Sequence, residues 1–160
     1  MAFDPATRIK DFLVFGEFGD VNPSITDSST FTFLSPAKMA ELFEHEIEGC
    51  FLYSRHWNPT NKYLAEALAR MEDGGSAQVM ASGMGAISTT LLELCSMGDE
   101  IVSSRTIYGG TWALMKNLLP RFGIATRFVD VTNLEAVRAA ITPKTKVIYC
   151  ESISNPLLDV

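Results

Sequence analysis

The chain has 160 residues, 47% of them hydrophobic and 20% charged, with a formal net charge of −6. That is enough for one domain with a real core and is an ordinary globular composition. No basic run occurs, which argues against nucleic-acid and anionic-membrane partners, and no apolar run approaches the roughly 18–20 residues of a membrane span. Met1 to Phe15 mixes polar and apolar residues and shows no signal-peptide core. Asn22 to Phe33 is rich in Ser, Thr and Pro and reads as an extended arm. Ser35-Pro36 is a helix start, with Ser as cap and Pro in the first helical position, for a helix running to about Glu46 before Gly49 releases the chain.

From Pro59 the pattern becomes regular. Thr60 is a candidate cap for a helix carrying Leu64, Leu68 and Met71, stopped by Gly74-Gly75. Ala77 to Ala81 reads as a short apolar strand, and a helix follows Gly83 and ends near Gly98. Glu100 to Ser103 is a strand, Gly110 to Phe122 is mostly helical, and Gly123 breaks it. Ile124 to Val129 is a strand. Thr132 and Glu135 form a capping-box pair for a helix ending near Ile141, and Lys146 to Cys150 is the last strand. Such strand and helix alternation predicts an α/β fold, a parallel sheet covered by helices on both faces.

Cys50, Cys95 and Cys150 are odd in number and widely spaced, so they read as reduced core thiols of a cytoplasmic protein. His45 and His56 are the two histidines, and with no close-spaced ligand pair no metal site is expected. No Gly-x-Ser-x-Gly elbow occurs.

The chemistry-bearing residues cluster after strands. Ser82-Gly83-Met84-Gly85 follows a strand and opens a helix, where free N–H groups and the positive dipole end suit a phosphate. The bland alternative is a tight strand-to-helix turn. A second alternative is a partial dinucleotide motif, with Ser88 in place of the third glycine and Ser103-Ser104-Arg105 ending the next strand in a form that suits NADP. Tyr53-Ser54-Arg55, read as extended, puts Tyr53 and Arg55 on one face, a hydroxyl and a guanidinium fork suited to a phosphate monoester. Tyr108, followed by Gly109 and Gly110, falls in a strand-to-helix loop at the carboxyl end of the sheet, where an aromatic ring can stack on a flat ligand. Asn155 follows the last strand at the same rim.

Together, Tyr53-Ser54-Arg55 with Asn58-Pro59-Thr60, Ser82-Gly83-Met84, Tyr108-Gly109-Gly110-Thr111, Pro143-Lys144-Thr145-Lys146 and Glu151 with Asn155-Pro156 resemble the Cys/Met-metabolism family of pyridoxal-phosphate enzymes. Its members include cystathionine γ-synthase, cystathionine lyases, methionine γ-lyase and O-acetylhomoserine sulfhydrylase. The resemblance runs from about Asn22 to Val160. It implies a fold type I transferase architecture, with residues 1–50 as an inter-subunit arm and helix and 51–160 as the first part of the large, mainly parallel-sheet domain. It implies pyridoxal 5′-phosphate as cofactor, with Ser82, Gly83 and Met84 at its phosphate. Tyr53 and Arg55 would reach that phosphate from a neighbouring subunit. Tyr108 would stack on the pyridine ring and act in acid/base steps, and Asn155 would approach the ring hydroxyl. A sulfur amino-acid substrate, a homotetramer of two active dimers and an arm packed on a partner subunit come with the family. Gly110 stands where methionine γ-lyases typically carry Cys, and is compatible with the synthase, sulfhydrylase and cystathionine lyase branches.

Such chemistry starts from a Schiff-base lysine. Lys10, Lys38, Lys62, Lys116, Lys144 and Lys146 all lack the family's Ser-x-Thr-Lys context. The expectation is therefore the N-terminal segment of an enzyme of β/γ-elimination or γ-replacement on sulfur-containing or O-acylated amino acids. The segment alone would be inactive, with the remainder of the polypeptide supplied as a separate chain. The alternative is a non-catalytic segment that binds a phosphate ligand or a partner chain.

Overall fold

The computed structural model describes residues 4–10, 12, 16, 19–33, 35–45, 47 and 49–160. The chain forms two compact units, Met1–Val79 and Met80–Val160.

In the first unit, α1 (Pro5–Lys10) packs against α3 (Pro59–Met71), and α2 (Pro36–Glu44) lies between them in sequence. The Ser35 hydroxyl accepts from the Lys38 N–H at 3.4 Å, so Ser35 caps α2 with Pro36 in the first turn. The helix closes at Glu44; its expected end near Glu46 lies outside the described residues. Gly49 takes a left-handed φ of +71°, which only glycine adopts without strain. Asn58, not Thr60, caps α3. The Asn58 Oδ1 accepts the Thr60 N–H at 2.9 Å and Pro59 occupies the first turn, so Thr60 is already inside the helix. The expected apolar stripe also turns out differently: Ala65 and Ala69 are buried, whereas Leu64 and Leu68 are exposed.

The Asn22–Phe33 arm is extended and is held by the Tyr53–Thr60 stretch of its own chain. Thr26 N–H donates to Thr60 Oγ1 at 2.9 Å, Asn58 Nδ2 donates to the Thr26 carbonyl at 3.0 Å, and the Ser54 hydroxyl donates to the Ser28 carbonyl. Thr30 and Tyr53 form an antiparallel bridge, and the rings of Phe31 and Phe51 stand 5.5 Å apart.

The second unit carries the sheet. Its elements are α4 (Gly83–Leu94), β1 (Glu100–Ser104), α5 (Gly109–Ala113), β2 (Ala125–Val129), α6 (Leu134–Ala140) and β3 (Thr145–Tyr149). A π turn (Leu114–Leu118) and a 3₁₀ turn (Leu119–Phe122) extend α5. Pro120, which has no N–H to give, falls in that last turn, and Gly123 ends it at φ +73°. The strands are parallel in the order β2-β1-β3, with Val102 opposite both Arg127 and Ile148. Central β1 is buried over Ile101–Ser104, while β3 alternates, as an edge strand does. The core is one cluster of Leu91, Cys95, Ile101, Leu114, Met115 and Leu119 with their neighbours, against which Phe128, Val147 and Tyr149 pack. Lys146 and Ile148, on the opposite face of edge strand β3, are exposed, whereas Val102, beside Ile148 on that same face of central β1, is fully buried, and α6 packs against β2.

Several expectations shift. Ala77–Ala81 is not a strand, and among the described residues it pairs with no other segment. The helix after Gly83 stops at Leu94, with the Cys95 N–H closing it on the Leu91 carbonyl, four residues before Gly98. Asn133, not Thr132, caps α6 by accepting from the N–H groups of Glu135 and Ala136; the Thr132 hydroxyl instead donates to Asp130. Of the three thiols, Cys95 is buried, but Cys50 and Cys150 are exposed at the ends of extended stretches and belong to no core. Among the described residues no helix is long and apolar enough to cross a membrane, and no cluster of potential metal ligands occurs.

Candidate functional site

Three loops of the second unit bear on the site. The first opens α4. Ser82 is extended (φ −159°, ψ 157°), and its hydroxyl accepts the Gly85 N–H at 3.0 Å. The cap uses an oxygen lone pair and leaves the hydroxyl hydrogen free to donate. The N–H groups of Gly83 and Met84 donate to no group among the described residues. A Cβ built on Gly83 would meet nothing within 4 Å. Two free amides at the start of a 12-residue helix, with open space above them, form a donor set suited to an anion.

The second loop follows β1. Tyr108 is the N-cap residue of α5, 47% exposed, and makes no side-chain cap bond. Its ring crosses Gly110: a Cβ on Gly110 would lie 2.5 Å from Tyr108 Cε1 and 3.2 Å from the Met84 sulfur. The missing side chain at Gly110 is therefore what lets the Tyr108 ring and Met84 come together. Thr111, fully buried, sits 3.8 Å from the Met84 sulfur through its hydroxyl. Burial pushes the Tyr149 phenol up, against the lowering effect of Thr111 and with a further rise from the Glu151 carboxylate, so Tyr149 stays protonated in neutral solution.

The third loop follows β3. Glu151 Oε1 accepts the Tyr108 N–H at 2.9 Å, across 43 residues of sequence. Asn155 is exposed in a turn that Ser154 closes through bonds with Leu158 and Asp159, and the Asn155–Pro156 peptide is cis. Asn155 thus shares the segment of Glu151, and among the described residues it makes no hydrogen bond to Tyr108 or Met84.

Of the expected site residues, the structure brings Ser82, Gly83, Met84 and Tyr108 to one rim. Tyr53 and Arg55 belong to the first unit. They lie in a turn rather than an extended stretch, because the N–H groups of His56 and Trp57 both fold back onto the Tyr53 carbonyl. The turn still pairs them, with the Arg55 guanidinium 5.1 Å from the Tyr53 ring centroid. Glu151 and Thr111 stood in the sequence motifs without an assigned role. Glu151 could have been singled out as an acid just beyond a strand's carboxyl end, where helix N-termini gather.

The dinucleotide reading loses its footing. Ser103 and Ser104 are buried, their hydroxyls bonded to the carbonyls of Ser104 and Thr106, and Arg105 pairs with Asp130 at 2.9 Å. A cavity of about 370 Å³ in the first unit, lined by Trp57, Lys62, Arg70 and Gly74 among others, includes none of the expected site residues. Lys144 and Lys146 stand at the amino end of β3, the end of the sheet away from Tyr108 and Glu151.

Comparison with known proteins gives a consistent pattern. The sequence model of the family described as Cys/Met metabolism PLP-dependent enzyme matches residues 13–160. A methionine gamma-lyase of Arabidopsis thaliana is 44% identical over 98% of this chain and 37% of its own length. A Campylobacter jejuni structure carrying N′-pyridoxyl-lysine-5′-monophosphate at position 205 superposes with a TM-score of 0.90 at 32% identity, over 99% of this chain and 39% of that one. Cystathionine gamma-lyase from Lactobacillus plantarum, complexed with L-serine, gives 0.83 at 33% identity, over 98% and 39%. The chain thus spans well under half the length of these relatives.

Proposed function

This chain belongs to the Cys/Met metabolism family of PLP-dependent enzymes, and on that premise we propose that it forms one wall of a pyridoxal 5′-phosphate site. The complete enzyme would carry out β/γ-elimination or γ-replacement on sulfur-containing or O-acylated amino acids. The observation that carries the proposal is the meeting of Met84 and Tyr108 across Gly110, beside the two free amides of Gly83 and Met84.

The residues present fit the group. Gly83 and Met84 donate their N–H groups to its phosphate, and the Ser82 hydroxyl adds a third donor. The half-exposed Tyr108 ring stacks on the pyridine, and its phenol is placed to hold or move a proton beside the substrate. Asn155 faces the ring hydroxyl. Tyr53 and Arg55, already paired, reach the phosphate of a neighbouring subunit's cofactor in a homotetramer of two active dimers, and the exposed Ile25 of the arm meets that partner. When bound, the cofactor supplies an electron sink that lets the substrate lose its α-proton and a β- or γ-substituent. The anchoring lysine lies outside this sequence, so the chain alone is inactive. A cytoplasmic location suits its unpaired cysteines.

The test is borohydride reduction of the chain mixed with pyridoxal 5′-phosphate, followed by peptide mapping and an assay of α-keto acid release from methionine, cystathionine and O-acetylhomoserine. The expected result is reversible, rim-directed binding, no single lysine fixed in stoichiometric yield, and no turnover until the remaining polypeptide is supplied. Stoichiometric fixation on one of the six lysines, or turnover by the chain alone, overturns the proposal.

A further inference from the structure

Glu151 links two of the loops at the rim of the second unit. The bond from the Tyr108 N–H to Glu151 Oε1 is, among the described residues, the one hydrogen bond that ties the loop after β1 to the loop after β3. Tyr108 has no cap bond of its own, and its N–H precedes the first intrahelical bond of α5, from the Trp112 N–H to the Tyr108 carbonyl. Without an acceptor from outside, that N–H is an orphan donor at a helix start, and the backbone of Tyr108 is free to turn. With it, the backbone is pinned at the point where the ring must pass over Gly110 and beside Met84.

We propose that Glu151 is a positioning residue: its carboxylate fixes the Tyr108 backbone so that the ring lies over Gly110, ready to receive a flat ligand ring. The inference deepens the reading of Tyr108 given above and rests on it. Its chemistry requires an acceptor oxygen at this point, and a glutamine carbonyl can serve as well as a carboxylate. Glu151→Gln therefore preserves the function, and Glu151→Ala removes it.

The experiment uses the full 160-residue chain and two probes, pyridoxine 5′-phosphate and inorganic phosphate. The first carries ring and phosphate but no aldehyde, so surface lysines cannot capture it. Both are titrated into wild type, E151A and E151Q, and the exchange rate of the Tyr108 amide is measured in each. The expected result is faster Tyr108 amide exchange and about tenfold weaker pyridoxine 5′-phosphate binding in E151A. Inorganic phosphate binding stays unchanged, which also shows that the variant is folded. E151Q follows wild type in all three measurements. Equal weakening of both probes in E151A, or retention of the preference for the ring-bearing probe, overturns the role of Glu151 alone. A wild-type chain that binds the two probes equally overturns the ring-facing role of Tyr108, and this inference with it.

Discussion

At the residue scale, two positions concentrate the consequences of the structure. Gly110 owes its identity to the Tyr108 ring, since an added Cβ would stand 2.5 Å from Cε1. Replacing it by alanine forces the ring or the Met84 thioether to move. The expected loss is about three- to tenfold in pyridoxine 5′-phosphate affinity, in line with the overpacking cost of roughly 1 kcal/mol or more, and titration checks it. Asn58 is the second position. It is 7% exposed and serves three partners, the Thr60 N–H, the Thr26 carbonyl and the Ser54 hydroxyl. Asn58→Ala removes a helix cap and releases the arm, and is expected to cost about 1–3 kcal/mol in urea unfolding. Asn58→Asp keeps the cap but turns an acceptor toward the Thr26 carbonyl, so it recovers only part of that loss. Motif reading named Asn58-Pro59-Thr60 but chose the wrong cap. Thr60 and Asn58 both carry a suitable oxygen, and only the extended backbone of Asn58 (φ −139°) decides between them. Thr132 and Asn133 repeat the ambiguity at α6.

At the element scale, the three parallel strands are tied at their amino ends by Glu100. Its carboxylate meets Arg127 of β2 at 3.0 Å and the Thr142 hydroxyl just before β3 at 2.9 Å. The Arg127 hydrogen bond first, and Thr142 next, hold the Glu100 carboxyl below the ordinary glutamate range. The unfolded chain therefore binds a proton more readily than the folded one. The stabilisation is fully present above the ordinary glutamate value and is lost as pH falls through the depressed folded value. Chemical unfolding at a series of pH values is expected to show stability falling across that acidic window, with a shallower fall in Glu100→Gln. The strands themselves were legible because each is short, apolar and bounded by Gly, Asp or Pro. Ala77–Ala81 misled because an apolar run states a preference for burial, while a strand also requires a neighbour to bond. The π turn at Leu114–Leu118 carries no sequence signal of its own; the helical pattern continues through it, and Pro120 marks only where it must end.

At the scale of the whole molecule, a parallel α/β sheet and its loaded rim could be read from strand and helix alternation because that pattern is local. The pairing order β2-β1-β3 could not, since it depends on contacts between strands separated by whole helices. The candidate site was legible in the same uneven way. Ser82, Gly83, Met84 and Tyr108 announce themselves by residue type at strand ends, whereas the support from Glu151 and Thr111 exists only once three loops are folded side by side. The turn that pairs half-buried Tyr53 with exposed Arg55 points to a further consequence. Arg55→Ala is expected to leave the binding of pyridoxine 5′-phosphate to a monomeric chain unchanged and to weaken it in the assembled oligomer, because the proposed target is a neighbour's phosphate. Titration at concentrations below and above assembly, followed by sedimentation, reads the difference. The most direct test of the account is amide mapping of the chain titrated with pyridoxine 5′-phosphate. The result it requires is that the largest changes fall on Gly83, Met84 and Tyr108. Changes confined to the Trp57–Ala77 cavity of the first unit, or absent from the rim altogether, would contradict it.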